Sequence, residues 1–329
     1  MRTLHGWLAL LFALPLLLAS VSGALLGFAR ESDRMFNVDL LAAPFSASPQ
    51  RSIQHLLAKA REAHPDRRVI GLGLSTTPVD ATLVLMEDAV GVRHEVYIHP
   101  RTGELRGSRP AQSSLYGLAW RLHTTLLLDE TGRWITRLAA LGLLLTTLSG
   151  MVLRGRAQAR GIAARTHPLL GMTSAPVLGI AAATGLLFMA WQPGYGNVQH
   201  LIQNTRGAGL ELVDPTPALA ALQATQPDCT ARWIAPLPEG SLRLACEEPH
   251  HAGTLGVRWL TWSPGGLLEP DSRATLAGEL LYDLHTGELL GMPGRILWVL
   301  ASLAIPILIL GGLASRNARR ATTLTQQRP

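Results

Sequence analysis

The chain has 329 residues, of which 47% are hydrophobic, 16% charged and only 5% aromatic, so the apolar excess is Leu, Ala, Val and Ile. That profile excludes a disordered or collagen-like chain and argues against an all-soluble one. The net charge of +6 invites a nucleic-acid reading, but its distribution along the chain argues against that too.

A helix needs about 20 consecutive apolar residues to cross roughly 30 Å of hydrocarbon. Four stretches reach or approach that length: 7–29, 132–153, 168–191 and 296–315. The implied organisation is a span at 1–29, an outer segment at 30–131 and a second span at 132–153. A loop at 154–167, a third span at 168–191, an outer segment at 192–291, a fourth span at 292–315 and a tail at 316–329 complete it. The three segments on one side of this topology hold nine arginines (Arg2, Arg154, Arg156, Arg160, Arg165, Arg316, Arg319, Arg320, Arg328) and no Asp or Glu. The other side carries all 23 acidic residues. The positive-inside rule therefore places both termini and the central loop in the cytoplasm. The first apolar run continues to Phe28, longer than the usual core of a signal peptide, so it reads as an anchor rather than a cleaved leader.

Each outer segment reads as a small α+β unit. The first predicts a helix at 52–63, strands at 68–74, 82–86 and 94–99, and a turn at Pro100-Arg101-Thr102-Gly103. The second predicts a helix at 217–224, strands at 231–236, 241–245 and 256–262, and a turn at Pro264-Gly265-Gly266. Its two strands at 231–236 and 241–245 form a candidate hairpin flanked by the chain's two cysteines, Cys229 and Cys246. In an oxidising compartment that placement suits a disulfide. Gly71-Leu72-Gly73 looks like part of a dinucleotide loop, yet it lacks the strand-loop-helix context such a loop needs.

Self-similarity is the most informative pattern. Leu122-His123-Thr124, Gly132-Arg133, Gly150 and Arg154 recur as Leu284-His285-Thr286, Gly294-Arg295, Gly312 and Arg316, all at an offset of 162 residues. His5 and Gly23 recur at the same offset as His167 and Gly185. The chain thus reads as a tandem repeat of helix, outer domain and helix. Four of its 11 histidines form repeat pairs. His5 and His167 begin helices at the cytoplasmic face, while His123 and His285 each precede a helix at the outer face. An ionisable group at a helix end has a bland explanation in interfacial preference. Retention in both copies, while Arg121 opposes Asp283, favours a role. Two imidazoles at one depth suit the axial positions of a haem iron, and zinc is disfavoured because no Cys or carboxylate accompanies either pair. Depth requires His5 to pair with His167 and His123 with His285. Glycines 23, 27, 150, 171, 179, 185, 311 and 312 give the helices smooth faces, for a macrocycle or for close helix packing. Arg133, Arg137 and Arg295 lie where a propionate finds a partner, and equally where arginine snorkels to headgroups.

With His5-Gly6-Trp7 opening the first helix, Leu122-His123-Thr124 and Leu284-His285-Thr286-Gly287 before the second and fourth, Ser22-Gly23 and Thr184-Gly185, and the outer αβ units, the chain resembles the PepSY-associated transmembrane family along nearly its whole length. The resemblance implies PepSY-like periplasmic domains and, as in similar bacterial inner-membrane ferric-siderophore reductases, haem b in the membrane, here two haems held by His5, His123, His167 and His285. It further implies reduction of a periplasmic ferric complex during iron uptake. The cytoplasmic segments are too short to fold a flavin or nicotinamide domain. Electrons must then come from quinol or a separate cytoplasmic reductase. The competing expectations are a non-redox, membrane-anchored PepSY module that binds or regulates a protein, and a repeat-built transporter subunit. The last is weakened by parallel repeats with no broken helix pair evident.

Overall fold

A computed structural model describes residues 1–75, 77, 79–153, 162–191, 213–247, 257–266, 268–270 and 276–326. The expected cytoplasmic loop lies partly, and the first part of the second outer segment wholly, outside these described residues. The chain divides into two compact units, one of 1–29, 119–192 and 284–329, the other of 30–118 and 193–283.

The first unit is helical. Three of its helices are long and apolar enough to cross a membrane, at Asp129–Leu153, Thr166–Ala190 and Glu288–Ala314, and there are four spans if one bent pair counts as a span. The bent pair is α1 (Arg2–Leu11) and α2 (Ala13–Leu26), which meet at 65°. The break at Phe12 has a local cause: Pro15 has no N–H to donate, and its ring crowds the carbonyl of Leu11 four residues earlier. The remaining spans belong to α7 (Asp129–Leu153), α8 (Ile162–Trp191) and α11 (Gly291–Gln326). Along α7 the buried residues are Gly132, Thr136, Ala139, Gly142 and Thr146, spaced as one helical face. Leu138, Leu141, Leu145 and Leu148 are exposed. Small residues inside and leucines outside invert the pattern of a water-soluble helix and match helices packed in lipid. Thr136 and Thr146 donate to the carbonyls of Gly132 and Gly142 at 2.9 Å, so their hydroxyls enter the interface already satisfied.

The second unit is built on a sheet. In chain order it contains α3 (Ala29–Phe36), α4 (Val38–Leu41), α5 (Ile53–Ala63), β1 (Arg68–Gly73), β2 (Thr82–Glu87), β3 (Arg93–Ile98) and β4 (Leu105–Pro110). After α6 (Leu115–Thr125) and the spans come α9 (Thr216–Thr225), β5 (Thr230–Pro236), β6 (Leu242–Glu247), β7 (Val257–Trp262), β8 (Leu268–Pro270) and α10 (Leu276–Thr286). The eight strands form one antiparallel sheet in the order β4-β3-β2-β1-β5-β6-β7-β8. Two separate three-stranded units were expected. Instead each half contributes four strands, and they join where Leu72 pairs with Ile234 and Gly73 with Trp233. Pairing β1 with β5 removes two exposed edges, which is the physical gain over two isolated sheets. Leu72 and Ile234 are 162 residues apart, as are the bulges after Val69 and after Ala231. Gln54 Nε2 donates at 2.5 Å to Thr216 Oγ1, again 162 residues away, where α5 and α9 begin.

One face of the sheet packs Val69, Leu72, Val84, Val96, Ile234, Leu244 and Leu260 under Leu56, Leu57 and Ala60 of α5 and Leu222 of α9. Each such leucine contributes roughly 1.5–3 kcal/mol by leaving water. The other face holds Ile70, Leu85, Trp233 and Trp259. Gly71 sits under the Trp233 indole, where a Cβ would lie 2.2 Å from Cζ2. The Gly71-Leu72-Gly73 motif is therefore inside β1 and makes room for an indole. Cys229 and Cys246 lie with their Cα atoms 5.6 Å apart, at disulfide spacing, beside the β5–β6 hairpin.

A buried charged cluster ties α3 to β3 and β4. Arg109 donates to Asp33 Oδ1 at 2.8 Å, to Glu95 Oε2 at 2.7 Å and to the Tyr97 hydroxyl at 3.3 Å, and Tyr97 donates to Glu95 at 2.9 Å. Burial raises the Glu95 carboxyl above its ordinary value in spite of Arg109, and it raises the Tyr97 phenol. Burial works against the charge of Arg109, yet its bonds to Asp33 and the neighbouring Tyr97 and Glu95 outweigh this and raise its pKa.

Candidate functional site

The helical unit brings its four repeat-paired histidines together two by two. His5 on α1 and His167 on α8 have ring centroids 6.4 Å apart, and His123 on α6 and His285 on α10 have centroids 6.1 Å apart. The pairs lie at opposite ends of the helices. On α8, His167 and Gly185, which abuts His285, are separated by 18 residues or about 27 Å.

Each ring is backed by a glycine of the repeat. A Cβ on Gly23 would lie 3.0 Å from His123 Cε1, and one on Gly185 would lie 3.1 Å from His285 Cε1. The corresponding distances are 3.4 Å from Gly150 to His5 and 3.6 Å from Gly312 to His167. Gly311 also meets His167, with a Cβ 3.7 Å from Nδ1, so five of the eight glycines singled out in the sequence seat imidazoles, whereas Gly27, Gly171 and Gly179 meet Val299, Leu308 and Thr147.

The hydrogen bonds fix which nitrogen is available. His123 Nδ1 meets the Ala19 carbonyl at 2.8 Å and His167 Nδ1 meets the Leu308 carbonyl at 3.1 Å. A carbonyl only accepts, so Nδ1 carries the proton in both. His5 Nδ1 lies 2.9 Å from Ser149 Oγ, whose own proton goes to the Thr146 carbonyl at 3.0 Å. His285 Nδ1 lies 3.0 Å from Thr184 Oγ1, which donates to Ile180 at 2.7 Å. With those protons placed on the backbone carbonyls, both hydroxyl oxygens are left to accept from the ring. Nδ1 is engaged in all four imidazoles, and on this assignment all four keep the lone pair on Nε2, the arrangement typical of a metal-ligating histidine.

The spacing fits a shared ion. A ring nitrogen about 2.0–2.1 Å from a metal puts its ring centroid about 3.2 Å away, so two opposed rings stand roughly 6.4 Å apart. Among the described residues no three His, Cys, Asp or Glu side chains form a metal cluster. Each pair thus offers two donors, which suits a metal whose remaining positions are filled by something other than the protein. A cavity of about 320 Å³ lies beside His167, lined by Leu170, Leu308, Gly311 and Ala314 among others.

The three arginines differ. Arg133 is half-exposed and pairs with Glu130 at 3.1 Å, one helical turn away. Arg295 donates to the Gly27 carbonyl through Nε at 3.0 Å and Nη2 at 2.5 Å, over the Phe28 ring. Arg137 stacks on Trp134 at 4.6 Å and donates through Nη2 to the Met189 carbonyl at 3.2 Å.

Sequence reasoning missed the acceptors Ala19, Ser149, Thr184 and Leu308. Ser149 and Thr184 each directly precede a repeat glycine, Gly150 and Gly185, which was the available signal. The profile of one protein family, described as PepSY-associated TM region, matches residues 2–315 and so includes all four imidazoles. No curated protein matches the chain.

Proposed function

This chain belongs to the PepSY-associated transmembrane family, and on that premise we propose that it is a membrane reductase with two haems b, one held by His5 and His167, the other by His123 and His285. The observation that carries the proposal is the common geometry of the two pairs: centroids at 6.4 and 6.1 Å and Nδ1 of every ring in hydrogen-bond contact with a carbonyl or hydroxyl oxygen. Haem b bound at each pair would supply a one-electron Fe(III)/Fe(II) couple. The chain's own part is to orient the rings through Ala19, Leu308, Ser149 and Thr184, to keep Nε2 unprotonated, and to hold both pairs in an apolar helix bundle away from water.

In this reading the chain is two tandem copies of 162 residues, with four spans, in the inner membrane of a bacterium. The nine arginines put the termini and the loop at 154–167 in the cytoplasm, so His5 and His167 lie at the inner face and His123 and His285 at the outer face. Electrons enter from quinol or a cytoplasmic reductase and reduce a ferric complex, such as a ferric siderophore, in the periplasm.

Absorption spectroscopy of the detergent-purified protein tests this. A Soret band, with sharp α and β bands on dithionite reduction that a ferric chelate reverses without oxygen, is the expected result. A colourless protein from haem-replete cells would overturn it and leave a non-redox binding module.

A further inference from the structure

The two halves of the helical unit treat one backbone position differently. Gly27 and Met189 lie 162 residues apart, and the carbonyl of each accepts from an arginine. Around Gly27 the site is filled. Arg295 spends both Nε and Nη2 on the carbonyl, and Val299 packs so closely that a Cβ on Gly27 would lie 2.6 Å from its Cγ2. Around Met189 it is open. Arg137 spends only Nη2, and its Nε is buried with no hydrogen-bond partner among the described residues. Beside it lies a groove of about 500 Å³ lined by Trp134, Arg137, Leu186, Met189 and Ala190.

This groove faces away from the histidines. On α8, Thr184, Gly185 and Phe188 meet His285, with Phe188 5.6 Å from its ring, whereas Leu186, Met189 and Ala190 line the groove about 145° further round the helix. Trp134 is exposed, as are Leu138 and Leu187 nearby on the same two helices, so the groove opens towards lipid. Arg137 lies near the outer end of α7, two turns after Asp129, where Trp and Arg meet headgroups.

A permanent cation with an unspent buried donor makes its strongest hydrogen bond to an acceptor that carries negative charge, and the bilayer supplies phosphate. We propose that the Trp134–Arg137 groove between α7 and α8 is a binding site for the headgroup phosphate of one anionic phospholipid, and that the second half of the chain has no counterpart because Val299 and Arg295 close it.

Native mass spectrometry of the full-length protein, titrated with phosphatidylglycerol or phosphatidylcholine, tests the site. The wild type should retain one phosphatidylglycerol in preference to phosphatidylcholine, and inorganic phosphate should not displace it. Arg137→Gln should weaken that binding about ten- to a hundredfold, the range for a hydrogen bond to a charged group. Ala190→Phe, which fills the groove and leaves the arginine's charge in place, should do the same, and Arg295→Gln should not. Equal retention of the two lipids, unchanged binding in Ala190→Phe, equal loss in Arg295→Gln, or displacement by a short-chain quinone would each overturn the proposal.

Discussion

In the helical unit, the histidines and their glycines recur 162 residues apart in matching contacts, whereas in the sheet unit such positions share a backbone and little else. His5 and His167, Gly23 and Gly185, and Gly150 and Gly312 occupy matching environments. In the sheet, the bulges match, but Gly71 opposes Trp233, and the Asp33–Glu95–Arg109 cluster has no charged counterpart at Val257. An imidazole held through one ring nitrogen against a glycine is demanding in shape and in chemistry, and in the proposed role both copies are needed. A sheet face needs only volume and the absence of unpaired charge, and many sequences provide that.

The comparison can be broken most sharply at the buried cluster. Arg109→Leu leaves Asp33 and Glu95 buried without their cation and should cost about 3–5 kcal/mol of stability, measured by denaturation of the detergent-solubilised protein. A loss below about 1 kcal/mol would mean that the cluster is solvated. Second in size is the cysteine pair, which exists in one half only. Denatured, unreduced protein should show no free thiol, and Cys246→Ser should cost about 3 kcal/mol for a loop closed across a separation of 17 residues. Two labelled thiols in protein from its native compartment would refute the bond.

The symmetry of the helical unit gives the third test. Gly23→Leu and Gly185→Leu each drive a side chain into an imidazole and should each cost about 1–3 kcal/mol and perturb the same haem spectrum. Gly171→Ala, whose Cβ would meet Leu308 at an ordinary 3.6 Å, should be tolerated. Unequal effects of the two leucines would break the equivalence of the halves.

The smallest effect concerns Glu279, which has no acidic equivalent at Gly117. Burial, then Asp283, pushes its carboxyl up to about 7. A carboxyl raised in the folded state stabilises below its unfolded pKa, and that stability is lost as pH rises through the folded value. Stability should therefore fall between about pH 4.5 and 7, by roughly 1 kcal/mol once solvent screening of this half-buried group is discounted. Glu279→Gln should flatten that slope in thermal melts, and an unchanged slope would assign it elsewhere.

Much of this was legible in the sequence because it is periodic or repeated. The apolar runs mark α7, α8 and α11, and the 162-residue offset singles out the four histidines from the other seven. The boundaries of α5, β2 and β5 follow from alternation and from Ser52, whose side chain accepts from the backbone N–H of His55. What escaped is tertiary. β4 is a polar edge strand ending at Pro110, and β8 has three residues, so neither shows the apolar alternation of a central strand. The pairing of β1 with β5 joins segments that sequence reads as separate domains. Arg109 reaches Asp33 across 76 residues, and nothing local announces it. At the histidines, residue type and depth were visible, but the identity of each Nδ1 acceptor depends on helix rotation, which only packing fixes.

The central claim is that equivalent histidines share a metal. Haem per polypeptide, measured as the pyridine complex in His5→Ala, His123→Ala, His167→Ala and His285→Ala, tests it most directly when combined with the low-temperature reduced spectrum of each variant. The account predicts two haems in the wild type and about one in each variant. His5→Ala and His167→Ala should lose the same spectral component, and His123→Ala and His285→Ala the other. Loss of one common component in His5→Ala and His123→Ala, with His167→Ala retaining it, would contradict the account.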